Sequence, residues 1–203
     1  KLNQEYDPAT DTWRERALMP AVTSHAGAAT LNGKVYVVGG FQANVHVGAV
    51  SNVFEYDPAT DEWRRVAPLP APRGAPGVVA LDGKLYAIGG RNPDRVTVDT
   101  NEIYDPAADA WTTLDPLSEW RAEHAAVLLA DGRVMVTGGV GKVATSDIFD
   151  PATDTWSVGA NMVETRYAHS MTLLDDGRVL VIGGNSTDGD QRGVTTEVEV
   201  WAP

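Results

Sequence analysis

The feature that most constrains this chain is a phrase it repeats. Tyr6 to Trp13 reads YDPATDTW and Tyr56 to Trp63 reads YDPATDEW. Tyr104 to Trp111 is YDPAADAW and Phe149 to Trp156 is FDPATDTW, and EVWAP at Glu199 to Pro203 begins a fifth copy. The copies start at 6, 56, 104, 149 and 201, so the spacings are 50, 48, 45 and 52. A recurrence of this kind means that one small unit, unable to bury its own apolar face, is built repeatedly and stacked on itself. The period is too long for the helical hairpins of ankyrin or tetratricopeptide arrays.

Each period carries a second landmark, a glycine pair at Gly39 and Gly40, Gly89 and Gly90, Gly138 and Gly139, and Gly183 and Gly184. Each pair ends a short run rich in β-branched residues: KVYVV, KLYAI, RVMVT and RVLVI. These runs are too short for helices and read as buried strands. Before each stands Asn32-Gly33, Asp82-Gly83, Asp131-Gly132 or Asp176-Gly177. This pairing most strongly signals a tight hairpin, because both residues tolerate positive φ. The third and fourth copies carry one extra residue here, Ala130 and Asp175, which belongs in the turn. The DPATD phrase supplies the next hairpin tip: proline presets φ and aspartate bonds the backbone ahead of it. Each unit is therefore four short strands joined by hairpins, with no helical periodicity. No Lys-Ser or Lys-Thr follows a glycine pair and no helix opens there, so a phosphate-binding P-loop is excluded. The glycines serve close backbone approach or bending.

The double glycine, then a tyrosine, then a tryptophan seven residues on resembles the kelch-repeat family across essentially the whole chain. The resemblance implies an all-β propeller of four repeats, each a four-stranded antiparallel blade. It also implies that the aromatic columns Tyr6, Tyr56, Tyr104 and Phe149, with Trp13, Trp63, Trp111 and Trp156, fill the space between blades. One propeller domain spans 1–203. Residues 1–20 give the third and fourth strands of a closing blade, 21–69, 70–117 and 118–160 give full blades, and 161–203 give three strands of a last one. The N-terminal fourth strand (Thr12 to Leu18) could join that last blade and close a four-bladed ring, since open sheet edges invite pairing. The surplus third strand (Leu2 to Asp7) would then compete with Glu197 to Trp201. A longer array and strand exchange between chains to give a homo-oligomer are the other two solutions. The chain opens at Lys1 without an initiator methionine or a signal-like apolar segment. That is the expectation for a processed or excised segment.

Charge narrows the partners. Lys and Arg total 16 against 28 Asp and Glu, a formal charge of −12. That balance argues against nucleic acid. No apolar run is long enough to span a bilayer, so no membrane partner is expected. The chain has no cysteine. This removes disulfides, thiolate metal sites and cysteine nucleophiles and fits an oxidising as well as a reducing compartment. It also removes the tyrosine–cysteine crosslink that the copper oxidase of this fold, galactose oxidase, requires.

The resemblance places ligands on one face, built from loops after the glycine pairs and loops entering each innermost strand. The first set is Phe41 to Ser51, Arg91 to Asn101, Val140 to Ser146 and Asn185 to Thr195, which vary while the flanking strands repeat. Loops on a rigid frame are where binding residues concentrate. Phe41, Arg91, Val140 and Asn185 hold the first positions of this set, and Phe41, Arg91 and Asn185 are candidate ligand-binding residues. The second set carries an arginine column, Arg73, Arg121 and Arg166, broken by Thr23 in the first copy. In the family an arginine there meets acidic ligands, and its fork suits carboxylates. The competing role is to brace adjacent blades. Trp120 and Tyr167 flank two of these arginines outside the structural columns. Both suit stacking on sugars or planar groups.

His124 and His169 each follow an arginine by three residues, but His25 falls one place out of register with them. Two histidines in register fall short of a metal set. No metal, cofactor or catalytic residue is assigned. The carboxylates Glu119, Glu123 and Glu164 sit near the channel mouth without a catalytic motif, leaving a carbohydrate-active enzyme as an alternative. The expected function is a scaffold presenting loops to a protein or carbohydrate ligand, and a structural repeat segment of a larger protein is the second alternative.

Overall fold

A computed structural model describes residues 1–42, 46–141, 143–186 and 193–202, and no helix occurs among them. The N-terminal hairpin is β1 (Asn3–Asp7) with β2 (Thr12–Arg16). A first full blade follows: β3 (Gly27–Leu31), β4 (Lys34–Val38), β5 (Val53–Asp57) and β6 (Glu62–Val66). The second is β7 (Gly77–Leu81), β8 (Lys84–Ile88), β9 (Asn101–Asp105) and β10 (Ala110–Leu114). The third is β11 (Ala125–Leu128), β12 (Val134–Thr137), β13 (Ser146–Asp150) and β14 (Thr155–Val158). The last holds β15 (Ser170–Leu173), β16 (Val179–Ile182) and, after the small ribbon β17 (Asn185–Ser186) and β18 (Gly193–Val194), β19 (Val198–Trp201). Every pairing is antiparallel in simple meander order, giving the four-bladed propeller arrangement expected.

The hairpin chemistry is as read. Asn32 and Gly33 hold φ of 52° and 76°. Asp82 and Gly83 hold φ of 49° and 75°. A two-residue type I′ turn needs positive φ at both positions, and these pairs supply it. In the third and fourth copies the extra residue lies in the turn, where Leu129 N–H donates to the Arg133 carbonyl and Leu174 N–H to the Arg178 carbonyl.

The inner strands form a row, β3 beside β7, β7 beside β11, β11 beside β15, and apolar cores fill the three gaps between blades. The first gap joins Tyr36, Val38 and Val53 to Leu85, Ala87 and Tyr104, with Trp111 packed on them. The repeated phrase is the clamp across these gaps. Its first aspartate accepts a backbone N–H two residues on, as at Asp57 from Ala59 (2.9 Å). Its second, at φ near 50°, accepts the tyrosine hydroxyl of the same phrase, 2.7 Å at Tyr56–Asp61 and at Tyr104–Asp109. The same Oδ1 accepts the backbone N–H that follows the preceding blade's outer strand: Ala17 to Asp61 at 2.9 Å, Ala67 to Asp109 at 2.8 Å. The tryptophan indole donates to the carbonyl of that same residue, Trp63 to Ala17 and Trp111 to Ala67, both at 2.9 Å. One residue of each preceding blade is thus held at both its polar backbone atoms. Trp156 keeps the bond, to the Asp115 carbonyl at 3.2 Å, while Phe149 has no hydroxyl to offer.

The hairpin β1–β2 pairs with itself, and β19 pairs with β16, so the N-terminal fourth strand does not complete the last blade. Its aromatics differ accordingly from those of the other copies. Tyr104 and Phe149 are buried, whereas Tyr6 and Trp13 face solvent, Trp13 at 66% exposure.

His124 and His169 lie between blades, where burial, and secondarily the Arg121 or Arg166 charge, depresses them to about 3 and about 4. His25 instead shares a column with Ala75, Glu123 and Ala168, all at φ between 50° and 56°, so the register mismatch read from the sequence is real. Glu55, beside Arg64 (2.7 and 2.8 Å), Lys34 (2.8 Å) and the Tyr36 hydroxyl (2.5 Å), is held down to about 2, chiefly by Arg64.

This packing sets two expected outcomes. Trp111→Ala should cost roughly 3 to 5 kcal/mol in chemical denaturation, and Trp13→Ala in dilute solution under about 1 kcal/mol, because only Trp111 leaves a cavity. Equal costs would contradict the interblade role. Below pH 6.5 the unfolded chain takes up protons that the buried His124 and His169 refuse, so stability falls as pH drops toward 4. That loss reaches about 2 kcal/mol for His124 near pH 5. Glu55 adds stability above its unfolded value near 4.5 that disappears as pH falls toward 2. His124→Gln should remove about half of the fall in stability between pH 6.5 and 4.5, the share of His169 remaining, and leave the steeper acid limb in place.

Candidate functional site

The two loop sets meet on one face, as expected, because the residue after each arginine-column position bonds the first residue after the glycine pair. Ser24 bridges Phe41, Gly74 bridges Arg91 and Tyr167 bridges Asn185, while Val140 N–H donates to the Ala122 carbonyl at 2.9 Å. Segments 43–45, 142 and 187–192 of the first loop set lie outside the described residues.

The arginines do not face that surface. Arg121 is completely buried, and its guanidinium donors are engaged throughout. Nη1 donates to the Gly138 (2.8 Å) and Thr145 (3.0 Å) carbonyls, Nη2 to Thr145 Oγ1 (2.8 Å) and Asp147 Oδ2 (3.0 Å), and Nε to Asp147 Oδ2 (3.2 Å). Arg166 repeats the pattern with the Gly183 and Glu197 carbonyls (3.1 and 2.8 Å) and Glu199 Oε1 (3.1 Å from Nε). Arg73 does so with Glu102 and the Thr100 hydroxyl. In each case a guanidinium ties the first glycine of the pair to a carboxylate on the third strand of its own blade. The expectation that Arg73, Arg121 and Arg166 line the ligand surface is corrected, and so is the competing one that their side chains brace adjacent blades: each guanidinium braces the inside of a single blade. A buried charge must be paired and fully hydrogen-bonded, and the partner is already inside the blade.

The break at Thr23 has the same explanation. Two residues before each tyrosine-column position stand Phe54, Glu102, Asp147 and Glu199, so the copy without the arginine is also the one without the carboxylate. Thr23 Oγ1 alone bonds the Gly39 carbonyl, at 3.0 Å. This pairing of columns was readable in the sequence and is the signal that identifies the arginines as structural.

Phe41 is also corrected. It is 1% exposed, packed on the rings of His25 and His46 and so close to Gly74 that a Cβ there would lie 2.2 Å from the ring. Arg91, Tyr167 and Asn185 are half-buried in the loop bridges. Trp120 is different: it stands 70% exposed at the rim of a cavity of about 630 Å³ between the second and third blades. Thr97 comes from one loop, Ser118 and Glu119 from the segment leading into the inner strand, and Val140, Gly141, Val143, Ala144 and Thr145 from the loop after the glycine pair.

Arg121 lies beneath this cavity and positions its polar wall. The Thr145 hydroxyl accepts from Arg121 and therefore donates to Glu119 Oε2 at 2.6 Å, which fixes a carboxylate whose side chain is 47% exposed. Ser118 donates to Asp147 Oδ1 at 2.5 Å and anchors the same segment from below. Of the other channel-mouth carboxylates, Glu123 pairs with His46 Nε2 (3.0 Å) and Glu164 accepts from the Thr195 hydroxyl (3.3 Å). They converge on no common point with Glu119. Among the described residues no three His, Asp or Glu side chains group in a way that could hold a metal ion.

Known proteins share both the repeat and the architecture. The family model described as the KLHDC2/KLHL20/DRC7 Kelch-repeats domain matches residues 4–184. A curated protein, "Kelch-like protein terF" of Aspergillus terreus, is 48% identical over 40 residues, a stretch that spans 20% of this chain and only 9% of that protein. The solved structure titled "Structure of YjhT" superposes with a TM-score of 0.80 at 17% identity, over 99% of this chain and 75% of that one, a likeness of fold.

The pairing of arginine and acid columns can be tested by exchange. Arg121→Thr alone leaves Asp147 charged and buried and should cost roughly 3 to 5 kcal/mol. Arg121→Thr with Asp147→Phe rewrites the third blade as the first and should recover most of that loss in thermal and chemical denaturation. Additive losses would refute the pairing.

Proposed function

The chain belongs to the Kelch-repeat family, and from that premise we propose that it is a binding module whose ligand sits in the Trp120 cavity. The observation that carries this reading is an indole held in solvent at the rim of a cavity of about 630 Å³. That volume is within the usual size of ligand sites. An exposed tryptophan outside the interblade columns has no packing role, whereas the segments that line the rest of the cavity are fixed by the frame beneath them. The fold supports an interaction scaffold in general, since its rigid blades hold loops of unlike length on one face.

Of the two ligand classes that the loops suggest, carbohydrate fits the lining better than an acidic protein segment. The indole face suits the apolar face of a sugar ring, the fixed Glu119 carboxylate accepts from ligand hydroxyls, and Thr97 and Ser118 add hydroxyl groups. An acidic ligand would meet Glu119 and a chain of net charge −12, while Arg121 is sealed under the floor. Arg73, Arg121 and Arg166 act in this reading as positioning residues, with Tyr167, Arg91 and Asn185 on the same face as outlying contacts.

A glycan array followed by calorimetry on the best hit tests the proposal. Trp120→Ala should weaken binding about tenfold to a hundredfold, as loss of an aromatic anchor does, with unfolding unchanged. Retention of no glycan, or equal affinity of the variant, would overturn it; capture of a basic or neutral peptide lost on the same substitution would move the ligand class to protein.

A further inference from the structure

Every gap between blades is filled from the same few columns, and in the third gap those columns change chemistry together. Immediately before the first glycine of each pair stand Val38, Ile88 and Thr137, and four residues before the arginine column stand Leu69, Leu117 and Met162. Two residues after His124 and His169 come Ala126 and Met171. The two histidines occupy matching places: their Cε1 atoms would lie 3.1 Å and 2.8 Å from a Cβ on Gly89 and Gly138. The second gap thus sets Ile88, Leu117 and Ala126 where the third has a hydroxyl and two thioethers.

The donors of the third gap converge. Thr137 Oγ1, wholly buried on β12, lies 3.0 Å from His169 Nε2, 3.2 Å from Met171 Sδ and 3.5 Å from Met162 Sδ. Burial, ahead of the Arg166 charge, holds His169 down to about 4, so its ring is neutral at neutral pH. The hydroxyl and the neutral imidazole bring one proton each. Whichever tautomer the ring takes, at least one thioether is left with no proton to accept. Ser146, opposite Thr137 on β13, buries a hydroxyl that has no hydrogen-bond partner. Both residues line a cavity of about 310 Å³ together with Asn161 and Met162. The donors come from β12, from β15 and from the segment joining β14 to β15, all inside the repeat array.

We infer that Met162 Sδ, Met171 Sδ and His169 Nε2 form a binding site for one soft univalent cation, Cu(I), between the third and last blades. Thioethers are soft donors that select Cu(I) and offer little to hard divalent ions, and imidazole suits copper as well. All three donors are uncharged, and one unit of charge costs far less to bring inside than two. Methionine side chains are unbranched and adaptable, so a modest movement of two thioethers brings the donors onto one ion beside the Thr137 hydroxyl. The histidines and carboxylates among the described residues form no metal-holding group, so the thioethers are what set this place apart. Because the donors belong to two blades and the segment between them, the bound ion ties the last blade to the third.

Titration with Cu(I), kept reduced by ascorbate without oxygen and buffered by the chromogenic chelator bicinchoninate, tests this. The wild type should take one Cu(I) per chain, and X-ray absorption should show sulfur and nitrogen neighbours in a two-to-one ratio. Met162→Leu with Met171→Ala copies Leu117 and Ala126 of the second gap, so this double variant should fold as the wild type does. It should bind Cu(I) at least about a hundredfold more weakly, beyond the tenfold to hundredfold cost of losing a residue that merely supports a ligand. His169→Gln applies the same test from the third donor and should remove the nitrogen neighbour. Cu(I) should raise the unfolding temperature of the wild type and leave that of the double variant unchanged. Zn(II) should not displace it. A wild type that takes no Cu(I) from the chelator, variants that keep its affinity, or equal retention of Zn(II) would overturn the proposal. Trp120 and its cavity take no part in any of these readouts.

Discussion

A backbone carbonyl from one blade, pressed against the first glycine of the blade before it, is the contact on which the shape of the molecule depends. Side chains larger than hydrogen would hold the sheets apart at Gly39, Gly89 and Gly138, since a Cβ would sit at 2.4 Å from oxygen. Once the backbones touch near the axis, the inner strands are brought side by side, and the outer parts must splay because side chains fill the gap there. Sheets that touch at one edge and are wedged apart at the other fan around an axis. The repeated phrase sets the wedge. Tyrosine and tryptophan supply its bulk, and its second aspartate ties the tip to the backbone of the preceding blade, so neighbouring sheets are fixed in angle as well as in distance.

Burying three guanidiniums beside these contacts looks costly for so small a structure. Each is matched to a carboxylate on the same blade and to carbonyls that the glycine pairs leave without ladder partners, so the charge and the orphaned acceptors satisfy each other. The first blade solves the same problem with a threonine and a phenylalanine, which shows that the arrangement is a local module exchangeable as a pair. The cavity beside Trp120 is a by-product of one such module. Arg121 orients Thr145, Thr145 orients Glu119, and the polar wall next to Trp120 inherits the rigidity of the blade interior.

Much of this was legible in the residues, and the parts that were not share a cause. The hairpin turns, the strand runs and the aromatic wedge are local or alternate with period two, so the side chain's direction follows from its place along the strand. Arg73, Arg121, Arg166 and Phe41 sit in loops, where no period fixes direction, so spacing along the chain leaves their inward turn illegible. A second column, acid where the first is arginine, carried the missing information some 26 to 33 residues further along the chain. Trp120 was marked by falling outside the structural columns, yet its cavity was not visible, because Thr97, Glu119 and Thr145 belong to segments that only blade stacking brings together.

The sequence by itself determined the repeating unit, its four-stranded plan, the turns that build it and the residues that wedge one unit from the next. These depend on spacing within a few residues, which the chain's covalent order controls. Only the tertiary structure decided which charges turn inward, where an exposed indole meets a cavity, and that the first hairpin and last blade stay unjoined. Those outcomes depend on distances between sheets far apart in the chain, and such distances are set by packing.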